Sequence, residues 1–393
     1  SADDLRAKLA AALRQLSGET KALPPGVFVG SPSGTHSKLA VLFPGQGSQY
    51  PGMAREAALH FEAVGEALGA ADAALRDAFE TRFGDATRLS QFILPRGAYG
   101  DEGKTLAREK LTRTDVAQPA LGAVEVGLLR LMQSLGLKAD MFAGHSYGEF
   151  VALHAGGALD FDALMQLSAA RGRFIVDAAS AAGAELGTMA AVSARREVVE
   201  DAIADIDGVL IANHNAPQQS IISGTHEAVK AAAQKLRQGG VEVTDIPVAA
   251  AFHSSLVKPA QQALSELIEA MPWSPLQVPV YSNSSGRPHA ADVARVRRQM
   301  AEHLVSPVEF VAEIEAMYKD GARVFVEIGP KNVLTRLASR ILEGQPHVAI
   351  SIDDGSGLSG LLGGIGRLLC AGIDLDLAPL FARRDCRIGD PDD

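Results

Sequence analysis

A serine between two glycines is the feature of this sequence that most directly suggests chemistry. Residues 142–149 run Phe-Ala-Gly-His-Ser-Tyr-Gly-Glu, which places Ser146 in a Gly-x-Ser-x-Gly pattern. A short apolar run precedes the pattern, and the helix-compatible residues 149–153 follow it. In a nucleophile elbow of this order the glycines permit a tight turn and the serine hydroxyl projects above the sheet. We predict a nucleophilic Ser146, against the alternative of a chance match to a short pattern.

A nucleophilic serine needs a base, and the chain has 10 histidines from which to choose. His145 is adjacent to Ser146, but neighbouring side chains on a turn point apart, so we expect His145 to be structural. His253 follows a predicted strand, yet the residues alone do not favour it over the other histidines. No Asp or Glu stands in a motif that would orient a histidine as in a catalytic triad.

Two other segments have unusual local chemistry. Residues 43–49, Phe-Pro-Gly-Gln-Gly-Ser-Gln, form a glycine-rich turn after the first predicted strand, where α/β proteins place backbone amides against ligands. The turn matches neither a Walker A loop nor GxGxxG, so a purely structural turn is the alternative. Arg171-Gly172-Arg173 lies inside a predicted helix, where glycine costs about 1 kcal/mol relative to alanine. That cost suggests close packing or ligand approach, the alternative being arginines on a solvated face.

Composition sets outer limits on function. The 393 residues suffice for a large domain with an inserted smaller one, and 47% hydrophobic with 21% charged residues is typical of a soluble enzyme. We expect no transmembrane helix and no signal peptide. Two cysteines, Cys370 and Cys386, are too few for a disulfide scaffold, which favours the cytoplasm. A net charge of -10 argues against nucleic acid and implies that local basic residues hold any anionic ligand.

The predicted elements alternate between helix and strand and indicate an α/β protein. Within residues 186–251 the order strand-helix-strand-strand-helix-strand is the split, ferredoxin-like pattern. We therefore predict an α/β-hydrolase-like large subdomain, formed by residues 38–185 and 252–380, with residues 186–251 inserted as a ferredoxin-like small subdomain. Residues 1–37 are predicted to be a linker with an N-terminal helix, and residues 381–393 a polar tail.

Several segments, taken together and in order, resemble the malonyl-CoA:acyl-carrier-protein transacylase family, especially acyltransferase domains of polyketide and polyunsaturated-fatty-acid synthases. The resemblance covers about residues 39–380. Within this family, the pairing of Ser146-Tyr147-Gly148-Glu149 with Ala117-Gln118-Pro119-Ala120 is most similar to the iterative synthases of enediyne biosynthesis. The segments that carry the family resemblance are 43–49, Gln118-Pro119, Gly144-His145-Ser146-Tyr147-Gly148, Arg171-Gly172, Asn213-His214-Asn215-Ala216-Pro217, Phe252-His253 and Glu327-Ile328-Gly329-Pro330.

The resemblance implies a role for each matching residue. Ser146 would be the nucleophile and His253 its base, held by a backbone carbonyl in the segment 302–304, which precedes Ser306-Pro307-Val308, rather than by an acid. His303 would contribute only its main chain there, its side chain being typical of a surface or helix cap. The backbone amides of Gln46 and Tyr147 would form the oxyanion hole. The remaining matches would bind substrate: Arg171 holding the malonyl carboxylate, with Gln118, Phe252, Asn213 and Asn215 lining the pocket.

The implied reaction moves a malonyl group from malonyl-CoA, through an ester on Ser146, to the phosphopantetheine thiol of an acyl carrier protein. It needs no metal and no permanently bound cofactor, and its partners would be the carrier protein and adjacent synthase domains. Ala250 departs from the malonyl-selective members of the family, which typically have histidine there, so selectivity for malonyl groups would depend on Phe252 alone. The alternatives are a serine hydrolase or thioesterase on a related scaffold and a non-catalytic docking domain of a megasynthase.

Overall fold

The computed structural model describes residues 2–19, 22–30, 37–97, 100–181, 187–246 and 251–382. Its strands are β1 (Lys38–Phe43), β2 (Met141–Gly144), β3 (Thr188–Val192), β4 (Val209–Ala216), β5 (Gln219–Gly224), β6 (Val243–Ile246), β7 (Ala322–Pro330) and β8 (Val348–Asp353). Its helices are α1 (Ala2–Leu16), α2 (Arg55–His60), α3 (Glu62–Ala74), α4 (Arg76–Phe83), α5 (Leu89–Ile93), α6 (Gly100–Thr112), α7 (Thr114–Ser134), α8 (Gly148–Ala155), α9 (Phe161–Ala181), α10 (Arg196–Ile203), α11 (His226–Gln238), α12 (Lys258–Ala270), α13 (Val293–Glu302), α14 (Phe310–Lys319), α15 (Val333–Ile341), α16 (Leu358–Cys370) and α17 (Ala378–Phe381).

A parallel sheet in the order β2-β1-β7-β8 forms the centre of the large subdomain. Strand β1 is an apolar run that is buried from Leu39 to Phe43, as expected for a strand covered on both faces by helices. In the register of the sheet, Phe43 lies opposite Gly144, and Leu42 lies opposite Glu327. The carboxyl ends of β1, β2 and β7 therefore meet at one edge, which is where open parallel sheets bind ligands.

The long helices α7 and α9 pack against each other beside this sheet. Gly172 lies at their contact, where a Cβ atom would overlap the carbonyl oxygen of Thr114. The glycine that is costly within an isolated helix is thus explained by close packing between helices. This contact keeps α9 next to α7 at the position of Arg171.

The small subdomain is an antiparallel sheet in the order β4-β5-β3-β6, with α10 and α11 packed on one face. This arrangement confirms the predicted fold class of a large α/β unit with a ferredoxin-like insertion. The opposite face carries Met189 and Ile221, which pack with Phe252. Strand β4 is also joined to the large subdomain, because His214 N donates to Val308 O at 2.8 Å and Val308 N donates to Ala212 O at 2.8 Å.

Several element predictions differ from the structure. The sequence predicts a strand at residues 278–282, but the structure has no regular strand there, and Val280 and Tyr281 make only isolated bridges, to Phe142 and Pro288. The sequence also predicts a loop at residues 95–103, which ends early because α6 begins at Gly100, and it predicts no strand at the position of β8. The last strand of the small sheet, predicted over residues 241–248, covers Val243–Ile246; residues 241–242 are not part of it, and residues 247–248 lie outside the described residues.

The predicted domain boundaries, at residues 37, 185, 251 and 380, remain predictions. Most of the linker and the helix before it are described, whereas residues 383–393 of the predicted tail are outside the described part. Among the described helices, none combines the length and apolar character that crossing a membrane requires.

Candidate active site

Ser146 lies in a tight turn between β2 and α8. Its backbone φ is 50°, in the left-handed region that non-glycine residues seldom adopt. The flanking glycines are sterically required, because a Cβ on Gly144 would overlap the carbonyl of Gly148, and a Cβ on Gly148 would overlap the carbonyl oxygen of Phe43. The turn is therefore the strained strand-to-helix connection of a nucleophile elbow, packed directly on β1.

His253 is the histidine that reaches Ser146. Its Nε2 lies 3.0 Å from Ser146 Oγ, and its Nδ1 lies 2.7 Å from the carbonyl oxygen of Ser306. A carbonyl oxygen can only accept, so Nδ1 carries the proton and Nε2 presents its lone pair to the serine hydroxyl. Burial lowers the pKa of His253 to about 3, with the neighbouring His303 and Arg171 contributing, so the imidazole is neutral at pH 7.

The histidine is held by main-chain groups rather than by an acid. Besides the bond to Ser306, the backbone N of His253 donates to Leu304 O at 3.1 Å. Within the described ranges, no carboxylate bonds to His253. The arrangement is thus a Ser-His pair with a carbonyl partner, which belongs to Ser306, two residues beyond the predicted segment 302–304.

The amides of Gln46 and Tyr147 lie in two turns that touch each other. A Cβ on Gly45 would overlap the carbonyl oxygen of His145, which shows how closely the turns approach. Both residues line the same cleft as Ser146. In the part of the chain that the structure describes, neither backbone amide donates a hydrogen bond to another protein group. Both amides are therefore available to a ligand.

Arg171 is a buried cation that faces the cleft. Only 2% of the residue is exposed, and its guanidinium carbon lies 5.6 Å from the centre of the Phe150 ring. Nε and Nη2 are buried without a hydrogen-bond partner among the described residues. Burial lowers the pKa of Arg171 to about 10, which still leaves it charged at pH 7. Because an unpaired buried charge is costly, the site is suited to an anion that enters the cleft.

Hydrogen bonds between side chains connect the turn at residues 43–49 to helix α7. Gln46 Nε2 donates to Thr114 Oγ1 at 3.2 Å, and Gln118 Nε2 donates to Gln46 Oε1 at 3.4 Å. Gln118 is 1% exposed, and its Oε1 has no partner among the described groups. Gln118 therefore both orients the Gln46 side chain and retains a free acceptor at the cleft.

The two asparagines of β4 have different environments, although both line the cleft. Asn213 is 4% exposed and lies where β4 meets Val308. Asn215 Oδ1 lies 2.7 Å from His145 Nε2, and since an amide oxygen accepts, that ring nitrogen carries a proton. Burial lowers the pKa of His145. His145 is therefore paired with Asn215 and turned away from the role of base to Ser146.

Phe252 forms part of the cleft wall contributed by the small subdomain, together with Met189, Ile221 and Ile246. The cleft has a volume of about 730 Å³ and contains every predicted site residue. Ala250, the position that departs from the family pattern, lies outside the described residues.

Asn283 is a site residue that sequence reasoning did not identify. Its Oδ1 accepts from Ser146 N at 2.6 Å, and its Nδ2 donates to the carbonyl oxygen of Gly144. Its backbone N also donates to Glu149 Oε2 at 3.2 Å. One side chain, 1% exposed, thus holds the elbow on both sides of the nucleophile. No local pattern marks it, because 137 residues separate it from Ser146.

Glu149, on the helix α8 that follows Ser146, is buried between two histidines. Glu149 Oε1 lies 2.7 Å from His289 Nε2, and Glu149 Oε2 lies 3.1 Å from His303 Nε2. The His303 contact is close but poorly aligned, so it is not a full hydrogen bond. Burial opposes ionisation of Glu149, yet the two histidines lower its pKa to about 2. Because His303 is 3% exposed, the prediction of a surface side chain was wrong, whereas its position as the C-cap residue of α13 agrees with the helix-cap alternative.

Glu313 is the second buried carboxyl near Asn283, with both oxygens 3.3 Å from Nδ2. Burial raises the pKa of Glu313, and the charge of Glu149 raises it further. The surroundings thus favour the ionised form of Glu149 and the neutral form of Glu313. Across the described ranges, no group of three or more His, Cys, Asp or Glu could hold a metal ion.

Comparisons with known proteins agree with this geometry. The acyl transferase domain model matches residues 41–354. The chain is 35% identical over 325 residues to the malonyl CoA-acyl carrier protein transacylase of Bacillus subtilis, covering 80% of this chain and 94% of the relative. It is 33% identical over 330 residues to a polyunsaturated fatty acid synthase polypeptide of a Thraustochytrium species, covering 82% of this chain but only 11% of that relative.

Among solved structures, the acyltransferase domain from the second module of the salinomycin polyketide synthase matches with a TM-score of 0.81 and 30% identity, covering 97% of this chain and 85% of that one. An acyl carrier protein S-malonyltransferase from Vibrio cholerae matches with a TM-score of 0.72 and 29% identity, covering 83% of this chain and 100% of the other. The chain therefore belongs to the acyl transferase domain family, which includes the malonyl-CoA–acyl carrier protein transacylases, and it is an acyltransferase.

Proposed function

We propose that this protein transfers a malonyl group from malonyl-CoA to the phosphopantetheine thiol of an acyl carrier protein, through a malonyl ester of Ser146. The observation that carries the proposal is the Ser146–His253 pair, at 3.0 Å, in the same cleft as the buried and unpaired Arg171. The pair provides nucleophile and base, and the arginine provides the charge that a malonyl carboxylate needs.

In the first half-reaction, Ser146 Oγ attacks the thioester carbonyl while its proton passes to His253 Nε2. The negative charge that develops on the carbonyl oxygen is stabilised by the amides of Gln46 and Tyr147. Collapse of the tetrahedral intermediate breaks the carbon–sulfur bond, and the CoA sulfur takes the proton from His253. The serine ester and free CoA thiol are the products, and His253 is neutral again.

In the second half-reaction, the carrier thiol gives its proton to His253 Nε2 and its sulfur attacks the serine ester. The ester bond breaks, Ser146 Oγ recovers the proton, and the malonyl thioester leaves on the carrier. The Ser306 carbonyl keeps His253 in the required tautomer through both halves, because its bond to Nδ1 is retained. The low pKa of His253 means that the imidazolium is short-lived and returns its proton readily.

Arg171 would hold the free malonyl carboxylate through two parallel hydrogen bonds. Its two unpartnered nitrogens, Nε and Nη2, form one edge of the guanidinium fork and match the two oxygens of a carboxylate. Phe252 would border the α-carbon of the acyl group and disfavour branched substrates. Gln118, Asn213 and Asn215 would line and order the pocket.

We place the domain in an iterative synthase of the enediyne or polyunsaturated-fatty-acid type, acting in the cytoplasm in antibiotic biosynthesis beside adjacent synthase domains. The support is the residue pairing around Ser146 and Gln118, together with the similarity to the Thraustochytrium synthase. Expression beside the neighbouring domains, followed by analysis of the released product, tests this placement; a product that is not a polyketide or long-chain acyl group contradicts it.

The hydrolase alternative shares the elbow but needs a carboxylate partner for its histidine, whereas His253 bonds to the Ser306 carbonyl. Release of malonate with and without carrier protein separates hydrolysis from transfer. The docking-domain alternative predicts no covalent chemistry at all.

Intact-protein mass spectrometry with malonyl-CoA is the direct test of the proposed function. The native protein should gain one malonyl group, and Ser146→Ala should gain none, because Ser146 is the serine whose hydroxyl bonds to His253. Addition of holo carrier protein should then discharge the native adduct. Equal labelling of Ser146→Ala and native protein would contradict the ester mechanism.

A further inference from the structure

Among the described residues, the active-site cleft is lined by two cations besides Arg171, each from a different part of the fold, and a third cation is on helix α15. Lys331 follows β7 directly, and Arg108 belongs to α6. Arg336 is on α15, five residues after Lys331, and is exposed. Thr112, one turn after Arg108 on α6, also lines the cleft, and its Oγ1 donates to Arg108 O at 2.7 Å.

The position of Lys331 is held in an unfavourable backbone conformation. Its φ is 72°, in the left-handed region, although it is neither glycine nor asparagine. Its Nζ donates to the carbonyl oxygen of Gly47 at 2.8 Å, in the turn at residues 43–49 that also contains Gln46. Strain of this kind persists where the surrounding structure maintains it, and it is concentrated at functional sites.

The positive charge at this place is not compensated by the protein. Among the described residues, no carboxylate forms an ion pair with Lys331, Arg108 or Arg336, although the net charge of the chain is -10. Burial lowers the pKa of Lys331, and the charges of Arg108 and Arg336 lower it further, so each arginine lies within electrostatic reach of Lys331. Exposed acids on α6, such as Glu109, do not pair with them.

Uncompensated cations beside a substrate cleft favour an anion that arrives with the substrate. We propose that Lys331, Arg108 and Arg336 form a binding site for the phosphate group of the pantetheine arm that enters the cleft. CoA and a holo carrier protein both bear phosphate on the far side of the pantetheine from the thiol. Lys331 would supply a point charge, and the arginines would supply planar donor groups that suit phosphate oxygens. This inference rests on the proposed function and names the part of the substrate that the site recognises.

The test compares thioesters that differ in whether they carry phosphate. Acylation of Ser146 is measured with malonyl-CoA and with malonyl-pantetheine, which has no phosphate, for the native protein, Lys331→Gly and Arg108→Gln. Glycine adopts φ near 72° without strain, so Lys331→Gly removes the charge while preserving the turn. Arg108→Gln is a second variant because it does not touch Gly47. Arg340→Gln, one turn further along α15 and exposed, is the control.

Lys331→Gly and Arg108→Gln should each lower kcat/KM for malonyl-CoA about tenfold, as expected for the loss of one charge-assisted contact. With malonyl-pantetheine, native protein and variants should differ by less than about twofold, and Arg340→Gln should match the native protein with both thioesters. Equal losses with both thioesters, or no loss with malonyl-CoA, would overturn the phosphate site.

The second half-reaction distinguishes the two sources of phosphate. Discharge of malonyl-Ser146 is compared between a holo carrier protein and free pantetheine. A variant defect confined to acylation identifies CoA as the ligand, one confined to discharge identifies the carrier arm, and a defect in both identifies their shared phosphate. Native protein that neither thioester acylates contradicts the proposed function, and the phosphate site with it. Native acylation with unaffected variants contradicts the phosphate site alone.

Discussion

Arg171 is the residue that should decide which acyl groups are accepted. Replacing Arg171 with alanine should raise the activation free energy of malonyl transfer by about 3 kcal/mol, which lowers its rate about 100-fold. The reason is that a charge-assisted bidentate contact in a desolvated site is lost. Acetyl transfer should fall much less, since acetyl has no free carboxylate. Rates with malonyl-CoA and acetyl-CoA measure the difference.

The matched control for this prediction is Arg173→Ala, because Arg173 lies two residues away on the same helix and is exposed. It should leave both rates near those of the native protein. Equal losses of malonyl and acetyl transfer in Arg171→Ala would show that the arginine supports the fold of the cleft rather than the carboxylate.

Asn283 should act as a positioning residue for Ser146. Replacing Asn283 with alanine removes both bonds that hold the strained turn, to Ser146 N and to the Gly144 carbonyl. We expect kcat for acylation to fall about 10- to 100-fold with little change in KM, because a small displacement of a reacting atom is costly. Stopped-flow acylation at a temperature far below the unfolding midpoint measures this effect on folded protein.

Ser284→Ala is the control for Asn283, since Ser284 is adjacent but bonds to Ser282 and Gln299. Asn283→Asp keeps an acceptor for Ser146 N but loses the donor and faces Glu149 and Glu313, so it should not restore the rate. A variant that only lowers the melting temperature, with native kcat at low temperature, would limit Asn283 to a structural role.

At the scale of single residues, the sequence indicated the nucleophile because the elbow is local. Gly144, Ser146 and Gly148 occupy one turn, and their steric requirements act over a few residues. The residues that hold the catalytic pair are not local. Ser306 bonds to His253 through a main-chain carbonyl oxygen, and Asn283 bonds to Ser146 through a side-chain amide, and both lie far along the chain from the residue that they hold. Such partners become visible only when the chain is folded.

At the scale of elements, the helix and strand predictions worked best where one period was sustained. The apolar residues before Ser146 predict a strand, which the structure has as β2. The sequence also predicts a helix over residues 358–370, and α16 covers this range, Leu358–Cys370. The segment at residues 278–282 is apolar like a strand, but its pairing with β2 is limited to Tyr281 N to Phe142 O and Phe142 N to Pro279 O, both at 2.9 Å. Strand length depends on neighbours, which the local pattern does not contain.

The connection between β7 and α15 should make stability depend on pH. Glu327 accepts hydrogen bonds from Leu334 N at 3.0 Å and Thr335 N at 2.8 Å at the start of α15. Burial raises its pKa to about 7 despite these bonds. Because the folded pKa exceeds the ordinary value, the unfolded chain loses its proton first. Stability should therefore fall as pH rises from about 4.5 to about 7.

Glu327→Gln should flatten this decline, on the order of 1–3 kcal/mol between the ends of that range, since glutamine keeps an acceptor and does not ionise. Urea unfolding at a series of pH values measures it. Burial also raises the pKa of Glu125 nearby, so this residue should leave a residual slope of the same sign. Glu343→Gln, exposed just beyond α15, is the control. A native slope that Glu327→Gln leaves unaltered would contradict the assignment.

At the scale of the whole molecule, the site depends on how the two subdomains face each other. Ser146 and Arg171 belong to the large subdomain, whereas Asn213 and Asn215 belong to the small sheet, and Phe252 and His253 follow that sheet directly. The backbone bonds between β4 and Val308 maintain this arrangement. The predicted order of elements indicated both subdomains but not which of their faces meet. The bonds between β4 and Val308 involve only main-chain atoms, so no residue type in the sequence marks this contact.

The last prediction concerns the wall that the small subdomain gives to the acyl pocket. Phe252 packs with Met189 and Ile221, so its ring is supported from behind and has little freedom to move away from a larger substrate. An added methyl on the α-carbon of the acyl group would overpack this wall, at a cost of about 1–3 kcal/mol. We therefore expect the native protein to prefer malonyl-CoA to methylmalonyl-CoA by roughly 5- to 150-fold.

Competition between the two CoA esters, with both acyl-enzymes resolved by intact mass, measures that preference. Phe252→Ser should reduce it by opening the wall, while Ile246→Ala, on the same wall, controls for a general loosening of the small sheet. If Phe252→Ser and Ile246→Ala reduced the preference equally, the effect would come from truncating any apolar side chain of this wall and not from the ring of Phe252 in particular. Indifference of the native protein to the added methyl would contradict steric exclusion by Phe252, because the supported ring would then not border the α-carbon.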